Sequence, residues 1–150
     1  MTELSLADGF AALNRGDLAT AGEACKQALA ANQKHVPAHF LVGLVALEGK
    51  QRQVAHEAFK SVVTLDRNHA AAWAHLAKLN VGEGRIAAAE SALREVRRIQ
   101  PSDPMVIELT GTVLNSLGEY EAAELFFERA HQMVPQSPSA LMNLGNVRVF

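Results

Sequence analysis

Apolar positions along this chain follow a helical spacing that stops and restarts. Between Ala71 and Val81, the residues Trp73, Leu76, Ala77 and Asn80 share one helical face. Gly82, Glu83 and Gly84 interrupt the pattern. From Arg85 to Ile99 it resumes, with Ile86, Ala89, Leu93 and Val96 on one face. Pro101 and Pro104 close the stretch, since proline suits helix starts and ends better than interiors. This predicts two helices joined by a short turn, and the pair recurs. A small residue returns every 34 positions, at Gly9, Gly43, Ala77, Gly111 and Gly145. Ala21, Ala55, Ala89 and Ala123 form a second column of that period, and Cys25, Phe59, Leu93 and Phe127 a third. Fixed self-similarity of this length marks a stacked repeat protein, which offers an extended surface more often than a catalytic pocket.

The same layout fits residues 2–35, 36–69, 70–103 and 104–137 without insertion. Residues 138–150 begin a fifth repeat, in which Leu141, Leu144 and Gly145 copy Ile107, Thr110 and Gly111. The expectation is one all-α domain of four complete helix-turn-helix repeats and part of a fifth. Its stop at Phe150, before a fifth second helix, suits a fragment of a longer protein. The small columns are expected where paired helices approach closely, with Trp73 and Phe127 filling the space between one hairpin and the next. Gly16, Gly84 and Gly118 fall at the turns, where a positive φ is cheap for glycine. Lys50 occupies that place in the second repeat, and Gly49 beside it is the expected substitute.

The ladder Trp73, Leu76, Ala77, Gly84, Ile86, Ala89, Leu93, Val96, Pro101 resembles a tetratricopeptide repeat, as does Leu114, Gly118, Tyr120, Ala123, Phe127, Ala130, Pro135. The first repeat departs most from that pattern. Asp8 stands where an apolar residue is usual, Cys25 replaces an aromatic and Gln33 the closing proline; the second repeat has Arg67 for that proline. The resemblance implies a right-handed superhelix with the first helix of each pair lining a concave groove.

Composition narrows the possible partners. The chain has 150 residues, 49% hydrophobic and 20% charged, with a net charge of −2. Nothing in that balance favours nucleic acid or an anionic membrane. The single cysteine excludes an intramolecular disulfide and suits a reducing compartment. No basic, apolar leader opens the chain, and the run from Phe40 to Leu47 is too short to span a bilayer. The cytoplasm is the expected location.

Candidate chemistry is sparse. Cys25 shares a column with Phe59, Leu93 and Phe127 and is expected to be a buried core residue rather than a nucleophile. His35 and His39 are separated by Pro37, and His56-Glu57 lacks a second histidine at zinc-helix spacing. His69 lies at a repeat junction and His131 near a helix end. Glu119, Glu121, Glu124 and Glu128 read as a solvated face, and Glu90 is placed to pair with Arg94 in the basic group Arg94, Arg97, Arg98. The segment Gly82-Glu83-Gly84-Arg85 lacks the lysine and hydroxyl of a phosphate loop. No metal, cofactor or catalytic group is expected.

Removing the packing columns leaves the positions expected to line the groove. These are Leu6, Phe10 and Leu13, then Phe40, Leu41, Leu44 and Leu47, then His75 and Lys78, then Glu108, Thr112 and Asn115, and last Asn143 and Asn146. The first half is apolar and the second polar. Tetratricopeptide domains that clamp a chaperone's C-terminal carboxylate use lysines, arginines and asparagines where this chain has Leu6, Phe10, Leu41, Ala71 and His75. That ligand is therefore not expected. The expected function is a protein–protein interaction scaffold that binds a peptide, a helix or a second copy of itself through apolar anchors. The alternative is an N-terminal docking or dimerisation domain of a larger bacterial enzyme, such as a sulfotransferase or glycosyltransferase.

Overall fold

A computed structural model describes residues 3–135. Among these residues it has eight α-helices and no strand: α1 (Leu6–Asn14), α2 (Leu18–Ala31), α3 (Val36–Glu48), α4 (Arg52–Leu65), α5 (Ala70–Gly82), α6 (Ile86–Ile99), α7 (Pro104–Ser116) and α8 (Tyr120–Met133). The second helices α2, α4, α6 and α8 start 34 residues apart, as the sequence columns require. The first helices α3, α5 and α7 do the same, whereas α1 starts at Leu6 and is short. Ser5 sets that start. Its hydroxyl accepts the Asp8 amide and the Asp8 carboxylate accepts the Ser5 amide, a reciprocal cap. Asp8 is thus committed to capping the start of the helix.

All four hairpin turns close in one way. The amides of Asp17, Gln51, Arg85 and Glu119 donate to the carbonyls of Ala12, Ala46, Asn80 and Leu114 at 2.8–3.0 Å. The preceding residue in each takes a left-handed conformation: Gly16 at φ +79°, Lys50 at +59°, Gly84 at +75° and Gly118 at +80°. Gly49 does not substitute for Lys50 as expected; its own φ is −80° and it forms the C-cap of α3. The bond pattern fixes which position must turn left-handed, so a neighbouring glycine cannot take over the role.

The chain divides into two compact modules, the first ending at Ala72 and the second beginning at Trp73. In the first, α1 packs on α2, α3 on α4, and α3 also on α2 and α1. Its core includes Ala12, Ala21, Ala24, Cys25, Leu41, Ala55, Phe59 and Val62. In the second, α7 packs on α8, and the core includes Leu76, Ala77, Ala89, Leu93, Val96, Ile107, Leu114 and Phe127.

The small column works as a row of sockets. A β-carbon at Gly43 would lie 2.5 Å from the Phe59 ring, and one at Gly111 would lie 2.7 Å from the Phe127 ring. Phe127 therefore fills the space inside its own hairpin, over Gly111, and not the space between hairpins expected from the sequence. The third repeat places Ala77 and Leu93, both buried, at these two positions. There the smaller partner goes with the larger socket residue. The first repeat has Gly9 and Cys25, and a thiol is too small to fill the socket. Over Gly9 stand instead the Leu41 δ-carbon and the Ala24 β-carbon, 2.7 and 2.8 Å from where a β-carbon would be.

Candidate surface on the first helices

The first module sets two apolar stripes side by side. Leu6, Phe10 and Leu13 follow an i, i+4, i+7 spacing on α1, and Phe40, Leu44 and Leu47 repeat it on α3. The two helices pack together, and all six side chains are half-buried. Each has a packed side and an accessible side. Phe40 shows how the packed side is used: its ring meets Phe59 edge-on at 5.6 Å and lies 4.7 Å from the His69 ring.

Leu41 does not belong to this surface. It is fully buried, because the thiol of Cys25 leaves the socket over Gly9 empty and the leucine reaches in to fill it. The sequence columns treated each repeat alone and so could not show a side chain borrowed from the next one.

In the second module, the expected groove residues are polar and unevenly exposed. Lys78 is exposed, and His75, Glu108, Thr112 and Asn115 are half-buried. The Thr112 hydroxyl donates to the Glu108 carbonyl at 3.1 Å, a bond internal to α7. The buried Asn115 Oδ1 has no hydrogen-bond partner, nor has the buried His131 Nδ1. Asn143 and Asn146 lie outside the described residues, as do Leu141 and Leu144.

The remaining candidate groups find structural partners. Burial pushes the Cys25 thiol up to about 11, so it holds its proton at neutral pH and is a poor nucleophile. Arg94 donates to the Ser91 hydroxyl at 2.9 Å where the sequence suggested Glu90, and Arg98 pairs with Glu95 at 2.6 Å. Arg97 reaches Glu119 at 3.5 Å across an open crevice lined by Glu90, Leu93 and Arg94. Its two carboxylates balance its two guanidiniums. Glu119 and Glu121 are exposed, but Glu124 and Glu128 are half-buried, so the acidic face is only partly solvated. Among the described residues no group of three His, Cys, Asp or Glu side chains is placed to hold a metal ion. No described helix is long and apolar enough to cross a membrane.

Two structural roles were missed by reading the sequence alone. His35 Nδ1 accepts the Ala38 amide and His69 Nδ1 accepts the Ala72 amide, both at 3.2 Å, so each imidazole caps the helix that follows. The signal was present as Asn32-x-x-His35 and Asp66-x-x-His69, two copies 34 residues apart.

Residues 46–111 match the tetratricopeptide repeat family model. No curated protein sequence matches the chain. Several solved structures share its fold. MamA is 24% identical with a TM-score of 0.70, over 94% of this chain and 82% of that one. PilF of Pseudomonas aeruginosa is 20% identical with a TM-score of 0.77, over 94% of this chain and 64% of that one. The Arabidopsis OM64 tetratricopeptide domain is 20% identical with a TM-score of 0.64, over 76% and 94%. The fold is an all-α helical-repeat solenoid, and over residues 46–111 the chain matches the tetratricopeptide repeat.

Proposed function

We propose that the chain is a protein-interaction scaffold whose first module holds an apolar segment of a partner on the paired stripes Leu6, Phe10, Leu13 and Phe40, Leu44, Leu47. One observation carries this reading: six large apolar side chains, in register on neighbouring helices, all keep part of their surface accessible. Single exposed apolar residues are ordinary, but an ordered double row is a docking surface in waiting. Covering it would contribute about 25 cal/mol per Å² of apolar area removed from water. The absence of lysine, arginine and asparagine from the stripes argues against a carboxylate-bearing tail. On the second module, the exposed Lys78 and the half-buried Glu108, Thr112 and Asn115 would supply polar contacts. The buried thiol is consistent with work in the cytoplasm.

Selection of peptides from a random display library tests this. The parent should enrich peptides with apolar anchors, and the Leu44→Glu variant should lose them. Enrichment of acidic or featureless peptides, or equal binding by the variant, contradicts the reading. Sedimentation of both proteins separates the case in which the covering segment is a second copy of the chain: the parent then associates and the variant does not.

A further inference from the structure

The two histidine caps have a chemical property that the other side-chain caps among the described residues lack. Each ring is held in the same local frame. Asn32 Oδ1 accepts the Lys34 amide and Asp66 Oδ1 accepts the Asn68 amide, both at 3.0 Å. The amide of His35 donates to the Asn32 carbonyl and that of His69 to the Asp66 carbonyl, both at 3.2 Å. These turns aim Nδ1 of each imidazole at the third amide of the next helix. Accepting that bond requires a free lone pair on Nδ1, so the ring must be neutral with its proton on Nε2. A proton added at Nδ1 replaces an acceptor with a donor that faces another donor. It also places positive charge at the positive end of the helix dipole.

We infer that His35 and His69 are proton-released caps: they hold the first turns of α3 and α5 at neutral pH and let them go when the imidazoles are protonated. The first turn of α7 is the internal control, because at the same repeat position the Asp103 carboxylate accepts the Met105 amide at 3.0 Å.

The groups around the rings decide the direction at His69. Burial disfavours the charged ring most and holds its pKa below the usual histidine value; the Asp66 carboxylate acts the other way but is outweighed. The Phe40 ring at 4.7 Å also favours the cation, whereas the accepted amide bond disfavours it. Around His35 the titratable sequence neighbours are Lys34 and His39, and His39 Nε2 is engaged with the Gln33 carbonyl at 2.7 Å. The sign at His69 follows from the linkage. The folded value lies below that of the open state, so the cap's contribution is complete above about pH 6.5 and is lost as pH falls through the lowered folded value.

Nitrogen-15 NMR and amide exchange on the whole chain test this. At about pH 7.5 both rings should be Nε2–H tautomers with Nδ1 unprotonated. Once acid has protonated the rings, as followed in the same nitrogen-15 spectra, exchange at the Ala38 and Ala72 amides, corrected for its intrinsic pH dependence, should quicken about fivefold. Exchange at Met105 should not change. In the His35→Asp, His69→Asp double variant, which copies the Asp103 cap, the acid step should vanish. An Nδ1–H tautomer at neutral pH in the parent, unchanged protection once the rings are protonated, or a step that survives in the double variant each overturns the inference.

Discussion

At the scale of single residues, the socket-and-plug geometry makes a reciprocal claim. A methyl group at Gly111 collides with the Phe127 ring, so Gly111→Ala should destabilise by about 1–3 kcal/mol through overpacking. The third repeat shows the natural remedy, Ala77 with Leu93. Gly111→Ala combined with Phe127→Leu should therefore cost less than the sum of the two single changes, with a coupling of about 0.5–3 kcal/mol in urea melts. Strict additivity would show that the two positions do not share the socket. Lys50 carries the complementary prediction. A non-glycine residue at φ +59° is strained, and the turn makes the same bonds as the three glycine turns. Lys50→Gly should stabilise the chain by about 0.5–1 kcal/mol on that account, the gain being net of the added freedom of the unfolded chain. A lower thermal midpoint in the variant would mean that the lysine side chain holds the turn by contacts of its own. The column of small residues could be read from the sequence, but what each one faces could not. Cys25 looked like a harmless reduction of an aromatic, yet the volume it gives up is taken by Leu41, which the sequence had assigned to the groove and which is core.

At the scale of helices, the sequence revealed the elements almost to the residue, because the glycine turns and the 34-residue register constrain both ends of each helix. The caps were less legible. An N-cap is recognised by a short polar side chain before an apolar run, and histidine is not among the residues one looks for. First helices carry side-chain caps at Ser5, His35, His69 and Asp103. Of the second helices, α2 has Asp17, while α4, α6 and α8 have none. The carboxylates in this set lose their contribution in the same direction as the His69 imidazole, but in a more acid range. Hydrogen bonds from Ser5 hold Asp8 below the usual carboxylate value, and those with Thr20 do the same for Asp17. Depressed folded values mean that their contribution is present above about pH 3.9 and is lost only as pH falls through the lowered values. Protection of the first turns of α1 and α2 should therefore outlast that of α3 and α5 during acidification. Asp17→Asn, which keeps the cap but cannot titrate, should remove the late acid step at the Thr20 amide. Simultaneous loss of all four turns in an exchange titration would contradict this order.

At the scale of the whole chain, the helical-repeat solenoid was legible because repetition multiplies a weak signal. Any one period would have passed for an ordinary amphipathic hairpin; four in register could not. The proposed docking surface was less legible for a related reason. A periodic pattern tells which positions are free within a repeat, not which are taken by the neighbouring repeat, and Leu41 and Leu44 fall on opposite sides of that line. The pair gives the account its most direct test. Leu41 is fully buried, so Leu41→Ala should destabilise by about 2–5 kcal/mol while leaving affinity for a selected apolar peptide unchanged under conditions where the variant is folded. Leu44 sits half-buried in the α3 stripe, so Leu44→Glu should abolish that affinity while leaving circular dichroism and the melting midpoint near those of the parent. A titration of one peptide against the parent and both variants, with melts alongside, reads all of this together. Binding lost in Leu44→Glu and kept in Leu41→Ala is the predicted result. Binding kept in Leu44→Glu, or a Leu44→Glu chain that unfolds, would show that the stripes are core and that the partner docks elsewhere.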